Sequence, residues 1–330
     1  MRRALLLSVY VVVLVVVCCA SLAFGSRDVG IAQVLAALFA PADGNADHVA
    51  IRELRIPRTI IGVVAGLALG LAGALMQGLS RNPLADPGLL GINAGASLAV
   101  VVAITWWGVV APASFVWFAI GGATLAAALT YGIASGRKRL ASPVALTIAG
   151  SAVTAIFTSL ITLVLITDLE TLNQFRLWSV GSLSGRGLDA VAPVVPLVIL
   201  GAALAAAIGP TLNILALGSD LARGLGQRVG FARAICAIAI VLLCASATAI
   251  AGPIAFIGLV VPHVARAVCG SDYRWVLAFS AVIGPSVLLA ADILGRLVVP
   301  PGELEAGIVV AFVGAPVLIY FVRRSKVSVL

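Results

Sequence analysis

Three arginines fall within seven residues at Arg52, Arg55 and Arg58, in the run IRELRIPRT. Guanidinium groups so spaced grip carboxylates, so the chemistry they offer is recognition of an acidic surface or internal pairing, with Glu53 the nearest carboxylate in sequence. Residues for catalysis or metal binding are sparse. His48 and His263 stand far apart, and Cys18, Cys19, Cys236, Cys244 and Cys269 lie in or beside apolar runs without a CxxC pair. Packing, rather than redox or metal chemistry, is the expected role of these cysteines. No GxxxxGK[ST] occurs, so the chain is not itself a P-loop nucleotidase. The 13 carboxylates fall in expected loops or near span ends, Asp292 being the nearest to embedded. A carrier driven by protons or sodium usually needs an ionisable relay inside the membrane, so the energy source is expected outside this chain.

The elements that carry these residues must live in lipid. Of 330 residues, 62% are hydrophobic and 10% charged, whereas a soluble domain has roughly a quarter of its residues charged. An all-α integral membrane protein is expected, because the Leu-, Val-, Ala- and Gly-rich stretches lack the alternation of an outer-membrane barrel. The uncharged run from Ala4 to Ser26 is too long for a signal-peptide core and reads as span 1. Further spans are expected at 59–79, twice within 88–136, at 140–167 and 190–209, twice within 234–265 divided at Gly252-Pro253, and at 274–294 and 306–322. Ten spans in one domain, residues 1–330, put both termini on one side.

The basic residues test that count. With cytoplasmic termini, the inner side takes Arg2, Arg3, Arg81, Arg137, Lys138, Arg139, Arg223, Arg228, Arg233, Arg266, Arg274, Arg323, Arg324 and Lys326, which is 14 of the 21 Lys and Arg residues. This bias obeys the positive-inside rule and accounts for the net charge of +8 without invoking nucleic acid. Arg52, Arg55 and Arg58 then stand outside, either snorkelling and pairing with Glu53 or forming a docking patch for an acidic partner. On the inner side, residues 211–230 read as an amphipathic segment outside the bilayer. Leu215, Leu217, Leu221 and Leu225 recur at helical spacing, while Asp220 and Arg223 are polar. Such a segment meets a partner or rests on the membrane surface.

Gly62, Gly66 and Gly70, with Gly73 beside them, give span 2 a face on which another helix can approach closely. RNPLADPGLLG cannot be continuous helix, and AGPIAFIGLVVPH in the second half is a similar break followed by an apolar restart. Backbone broken at membrane depth is tolerated where protein or a water-filled cavity satisfies it. Paired breaks in two halves point to an internal repeat around a transport path.

Over nearly its whole length, in order, the chain resembles the iron-siderophore, haem and vitamin B12 permease family of ABC importers. The residues that carry the resemblance are RIPRTIIGVVAGLALGLAGALMQGLSRNPLADPGLLGINAGAS, GSDLARGLGQRVG, AGPIAFIGLVVPHVAR, GSDYRW, ADILGRLVVPPGELEAGIV and FVGAPVLIYFVRR. The resemblance implies a ten-helix type II importer permease in a bacterial inner membrane. It also implies a second permease subunit, a sister chain rather than an identical copy, together with two cytoplasmic ATPase subunits and an extracytoplasmic siderophore-binding protein. ATP and Mg would be bound by the ATPase, leaving this chain non-catalytic and without a cofactor of its own. The implied cargo is an iron(III)-siderophore of catecholate type, with haem or vitamin B12 as the alternative.

By the same resemblance, Arg55, Arg58 and Arg296 match positions that meet acidic residues of the binding protein. Leu217, Gly218, Asp220, Leu221, Ala222, Arg223, Leu225 and Gly226 match the coupling helix that sits in an ATPase cleft. Asn82 and Leu84 match the cytoplasmic gate, with Ser142 as a second contributor. The doubled proline of VVPPGELEAG departs from the family pattern, so no outer-loop contact is assigned there. A secondary carrier working alone and a non-transporting scaffold are the readings from other classes; the coupling segment and the paired breaks argue against them.

Overall fold

The computed structural model describes residues 2–25, 30–40, 45–109, 111–135, 143–299 and 302–324. Among these residues there are helices and no strands. In chain order they are α1 (Arg2–Ala23), α2 (Ile31–Phe39), α3 (Ala46–Val49), a wide π-turn (Ala50–Arg55), α4 (Ile56–Ser80), a 3-10 turn (Pro87–Leu90), α5 (Ile92–Trp107), α6 (Pro112–Ser135), α7 (Pro143–Thr167) and α8 (Leu169–Ser179). There follow α9 (Leu188–Val191), α10 (Val195–Ala216), α11 (Ser219–Gly224), α12 (Val229–Ala251), α13 (Ile257–Cys269), α14 (Tyr273–Val298) and α15 (Ala306–Arg324).

Among the described residues, seven stretches are long and apolar enough to cross a membrane: α1, the continuous 46–80 run, α6, α7, α10, α12 and α14. Apolar helices α5 and α13, and the stretch Ala306–Ile319 of α15, are shorter, below the roughly 20 residues of a straight crossing. Seven of the ten expected spans thus correspond, among the described residues, to helices of crossing length. α5 and α13 each restart after one of the two breaks.

Several boundaries differ from the sequence reading. α10 runs through Pro210 to Ala216 instead of ending at Gly209, because Leu212 and Leu215 beyond the proline are buried on the same face as Ile208. The PTLNIL part of the expected amphipathic segment is thus the end of α10, and only Ser219–Gly224 forms a helix of its own. The polar connection after span 5 contains α8, capped by Asp168, whose carboxylate accepts from the backbone amides of Glu170 and Thr171.

α4 is the axis of the molecule and its glycines set the packing. A Cβ on Gly62 would collide with Leu289, one on Gly66 with Pro285, one on Gly70 with the Ser280 carbonyl and one on Gly73 with Gly258. The glycine face therefore lies directly on α14 and on the start of α13, as the four-residue spacing requires. Pro262 leaves the Gly258 carbonyl without its helical donor. Gln77 of α4, 2% exposed, supplies one: its Nε2 donates to the carbonyls of Gly258 (3.3 Å) and Leu259 (3.2 Å), while its Oε1 accepts from Arg266.

Candidate functional site

At one end of the molecule, where α1 ends and α4 begins, the arginines close on internal partners. Arg58 donates to both oxygens of Asp292 at 2.8–3.0 Å and to Glu303 at 2.6 Å. Arg296 donates to the same Asp292 from one helical turn away, and also to the carbonyls of Ser21 (2.8 Å) and Phe24 (3.0 Å). Arg55 donates to the carbonyls of Leu22 (2.8 Å) and Ala23 (2.6 Å). Two of the three therefore cap the C-terminus of α1, whose last carbonyls have no helical donors and carry the negative end of its dipole. The third locks α4 to α14.

This arrangement departs from the sequence expectation. Arg55, Arg58 and Arg296 were expected to face a partner, yet they are 7%, 8% and 2% exposed. Their charges are already engaged, and not by Glu53, which is exposed. Arg52 is the member of the run left at the surface. Asp292, fully buried, is the hub that the sequence only hinted at. Both of its oxygens are occupied by guanidinium donors, which leaves no free position for a proton or sodium relay.

At the opposite end, α4 stops at Arg81, which adopts a left-handed conformation (φ 52°). Asn82 then holds an Asx turn, its Oδ1 accepting from the Leu84 amide at 2.9 Å. Asp86 caps the 3-10 turn by accepting from Gly88 at 2.8 Å, and Gly91 (φ 73°) turns the chain into α5. Asn82 and Leu84 are exposed at the tip; Ser142 lies outside the described residues. The two breaks meet: a Cβ on Gly258, in the first turn of α13, would lie 2.9 Å from Pro87 Cδ and 3.2 Å from Asp86 Oδ2.

At the same end, α11 projects between α10 and α12. Gly218 (φ 112°) and Gly226 (φ 80°) supply the turns on either side, and Ala222 is buried beneath the helix. Leu217, Leu221 and Leu225, at successive four-residue steps, are 59%, 62% and 61% exposed. Asp220 and Arg223 pair with each other at 2.8 Å on the surface. The apolar stripe faces away from the protein, so it needs a partner or lipid to cover it. Among the described residues no group of three or more His, Cys, Asp or Glu side chains could hold a metal.

Comparison with known proteins agrees with this architecture. Residues 13–324 match the model of the FecCD transport family. The ferric enterobactin transport system permease protein FepD of Escherichia coli is 44% identical over 98% of this chain and 96% of its own. The probable siderophore transport system permease protein YfiZ of Bacillus subtilis is 42% identical over 95% of this chain and 94% of its own. Among solved structures, a metal-chelate type ABC transporter in an inward-facing conformation superposes with a TM-score of 0.84, covering 96% of this chain and 99% of that one, at 24% identity. With its paired breaks, glycine-faced axis and family match over nearly its entire length, the chain belongs to the FecCD transport family.

Proposed function

We propose that this chain is one of two permease subunits of an ATP-driven importer that carries an iron(III)-siderophore of catecholate type across the bacterial inner membrane, as a ten-span subunit with both termini cytoplasmic. The observation that carries the reading is the 44% identity, over 98% of the chain, to a permease named for ferric enterobactin transport. The geometry supports it in two places. The exposed leucines of α11 suit a cleft in a cytoplasmic ATPase, which would bind ATP and Mg. In this reading Asn82 and Leu84, at the tip of the turn where the two breaks meet, gate the inner mouth, with Ser142 as the further contributor.

Docking of a siderophore-binding protein is assigned to the arginine end. There Arg52 is exposed to meet a carboxylate directly, while Arg55, Arg58 and Arg296 brace the rim from within. The partner permease is a sister chain. Proteoliposomes containing this chain, its sister, the ATPase and the binding protein should accumulate a ferric catecholate when ATP is enclosed. Uptake without ATP would refute the ABC reading; ATP-driven uptake of haem or cobalamin but not of the catecholate would refute the cargo.

A further inference from the structure

A cavity lies between α6 and α12 at the α11 end, with α4 as its floor. Its volume is about 360 Å³, and its wall is almost wholly apolar. Small side chains make it: Ala127 and Ala128 of α6 face Ala234 and Ala237 of α12, leaving a channel above Met76 and Leu79 of α4. Ala128 and Ile238 are exposed, so the channel opens on the flank of the molecule rather than into its core. From Arg233 to Leu242 the groove follows α12 over ten residues, about 14 Å of helix rise.

The polar groups of this groove gather at one end. Tyr131, Arg233 and Ser80 line the mouth nearest α11, Ser80 returning its hydroxyl to the Met76 carbonyl at 2.7 Å, and Thr124 on α6 returns its own to the Ile120 carbonyl at 2.8 Å. Arg233 donates to Ser219 Oγ at 3.0 Å, and Arg81 Nη1 would lie 3.7 Å from a Cβ on the adjacent Gly218. Two guanidinium groups thus converge on neighbouring residues. Among the described residues neither is in an ion pair, whereas Arg223 beside them is tied to Asp220. A dry groove about as long as the upper part of an acyl chain, ending at cations without carboxylate partners, has the chemistry of a phospholipid with a negative headgroup.

We propose that the α6–α12 groove binds one anionic phospholipid, an acyl chain lying between the alanines of the two helices and the phosphate held by Arg233 and Arg81. Charge complementarity favours this occupant over a zwitterionic lipid. The apolar depth favours it over an acidic segment of a cytoplasmic protein, which would leave the groove empty. Under the orientation proposed above the lipid belongs to the cytoplasmic leaflet, but the site does not depend on that orientation.

Native mass spectrometry of the full chain, purified in detergent with whatever subunits accompany it, reads the site directly. Phosphatidylglycerol and phosphatidylethanolamine with matched acyl chains are the probes. The wild type should retain phosphatidylglycerol in preference, and Arg81→Gln with Arg233→Gln should cut that preference roughly fivefold for each arginine removed. Arg81→Lys with Arg233→Lys should keep it, and Ala128→Phe with Ala237→Phe should abolish retention of both lipids. Melting midpoints of all variants separate loss of lipid from loss of fold. Equal retention of the two lipids by the wild type, or an unchanged preference in a folded Gln variant, would overturn the proposal. So would release of an accompanying ATPase by the Gln variant with lipid preference intact, since the arginines would then serve that partner.

Discussion

Asp292 shows how little one residue's type reveals of its task. A carboxylate six positions before the end of a membrane helix could be a relay, a ligand or a loop residue. The structure makes it the shared acceptor of Arg58 and Arg296, joining α4 to α14 and, through Arg296, to the end of α1. Breaking a buried pair from one side is costly because the opposite charge stays buried. Asp292→Ala strands two guanidinium groups and should destabilise the fold by about 3–5 kcal/mol. Asp292→Asn keeps one acceptor oxygen and should cost less. Thermal unfolding in detergent should rank wild type above Asn above Ala; an Ala variant as stable as wild type would remove the hub from the account. Arg52, exposed and outside this network, gives the opposite signature. Arg52→Glu should leave the melting midpoint unchanged and slow association with the binding protein, most clearly at low salt. Binding kinetics indifferent to Arg52→Glu at low salt would take docking away from this residue.

Elements divide into those whose packing is fixed by missing side chains and those held by caps. α4 belongs to the first kind, since Gly66, Gly70 and Gly73 touch backbone or proline on α14 and α13. Gly73→Val would drive a branched side chain into Gly258 and should lower the yield of folded protein far more than Val at Gly132 of α6, where a Cβ meets nothing within 4 Å. α8 and α14 belong to the second kind. Hydrogen bonds from the Thr171 hydroxyl and amide hold the Asp168 carboxyl below its usual range, and the side-chain amide of Asn213 does the same for Asp272. A carboxylate whose folded pKa is depressed stabilises the fold above its unfolded pKa, near 3.9, and that contribution is lost as pH falls through the lower folded value. Stability should therefore decline below about pH 4, and less steeply in Asn213→Ala. α11 should respond in function rather than stability: Leu221→Asp, at an exposed position, should leave melting unchanged and weaken ATPase attachment roughly tenfold or more. Much of this was legible in the sequence. Glycine spacing gave the α4 face, proline and glycine gave the breaks, and leucine spacing gave the stripe of α11. What could not be read was tertiary: which acceptors the arginines find 234 or more residues away, or that Leu212 and Leu215 carry α10 past Pro210.

At the scale of the whole molecule, two helices stand out by how little of them the rest of the chain covers. Some 78% of the α4 span is buried within the chain, against 6% for α1 and 22% for α7. Their exposed surfaces differ in chemistry. That of α1 beyond its two terminal arginines is mainly leucine and valine, among them Leu5, Val9, Val12 and Val16, which lipid covers at no cost. That of α7 carries Ser151, Thr158, Ser159 and Thr162 among its apolar residues. Ser151, Ser159 and Thr162 return their hydroxyls to their own helix at 2.9 Å, so the face is tolerable in lipid but carries several exposed hydroxyls where α1 exposes only Ser8. Small and hydroxylated side chains suit close approach by another helix or the wall of a wet path. Under the proposed function the sister permease therefore lies against α7, with the chelate path between the two subunits, and α1 faces lipid. Single cysteines at Thr158 and Val12, in a chain freed of its five native cysteines, separate the two faces. Thr158→Cys should crosslink to the sister chain or react with a membrane-impermeant thiol reagent in the assembled transporter, whereas Val12→Cys should do neither. The reverse pattern would move the subunit interface, and the path with it, from α7 to α1.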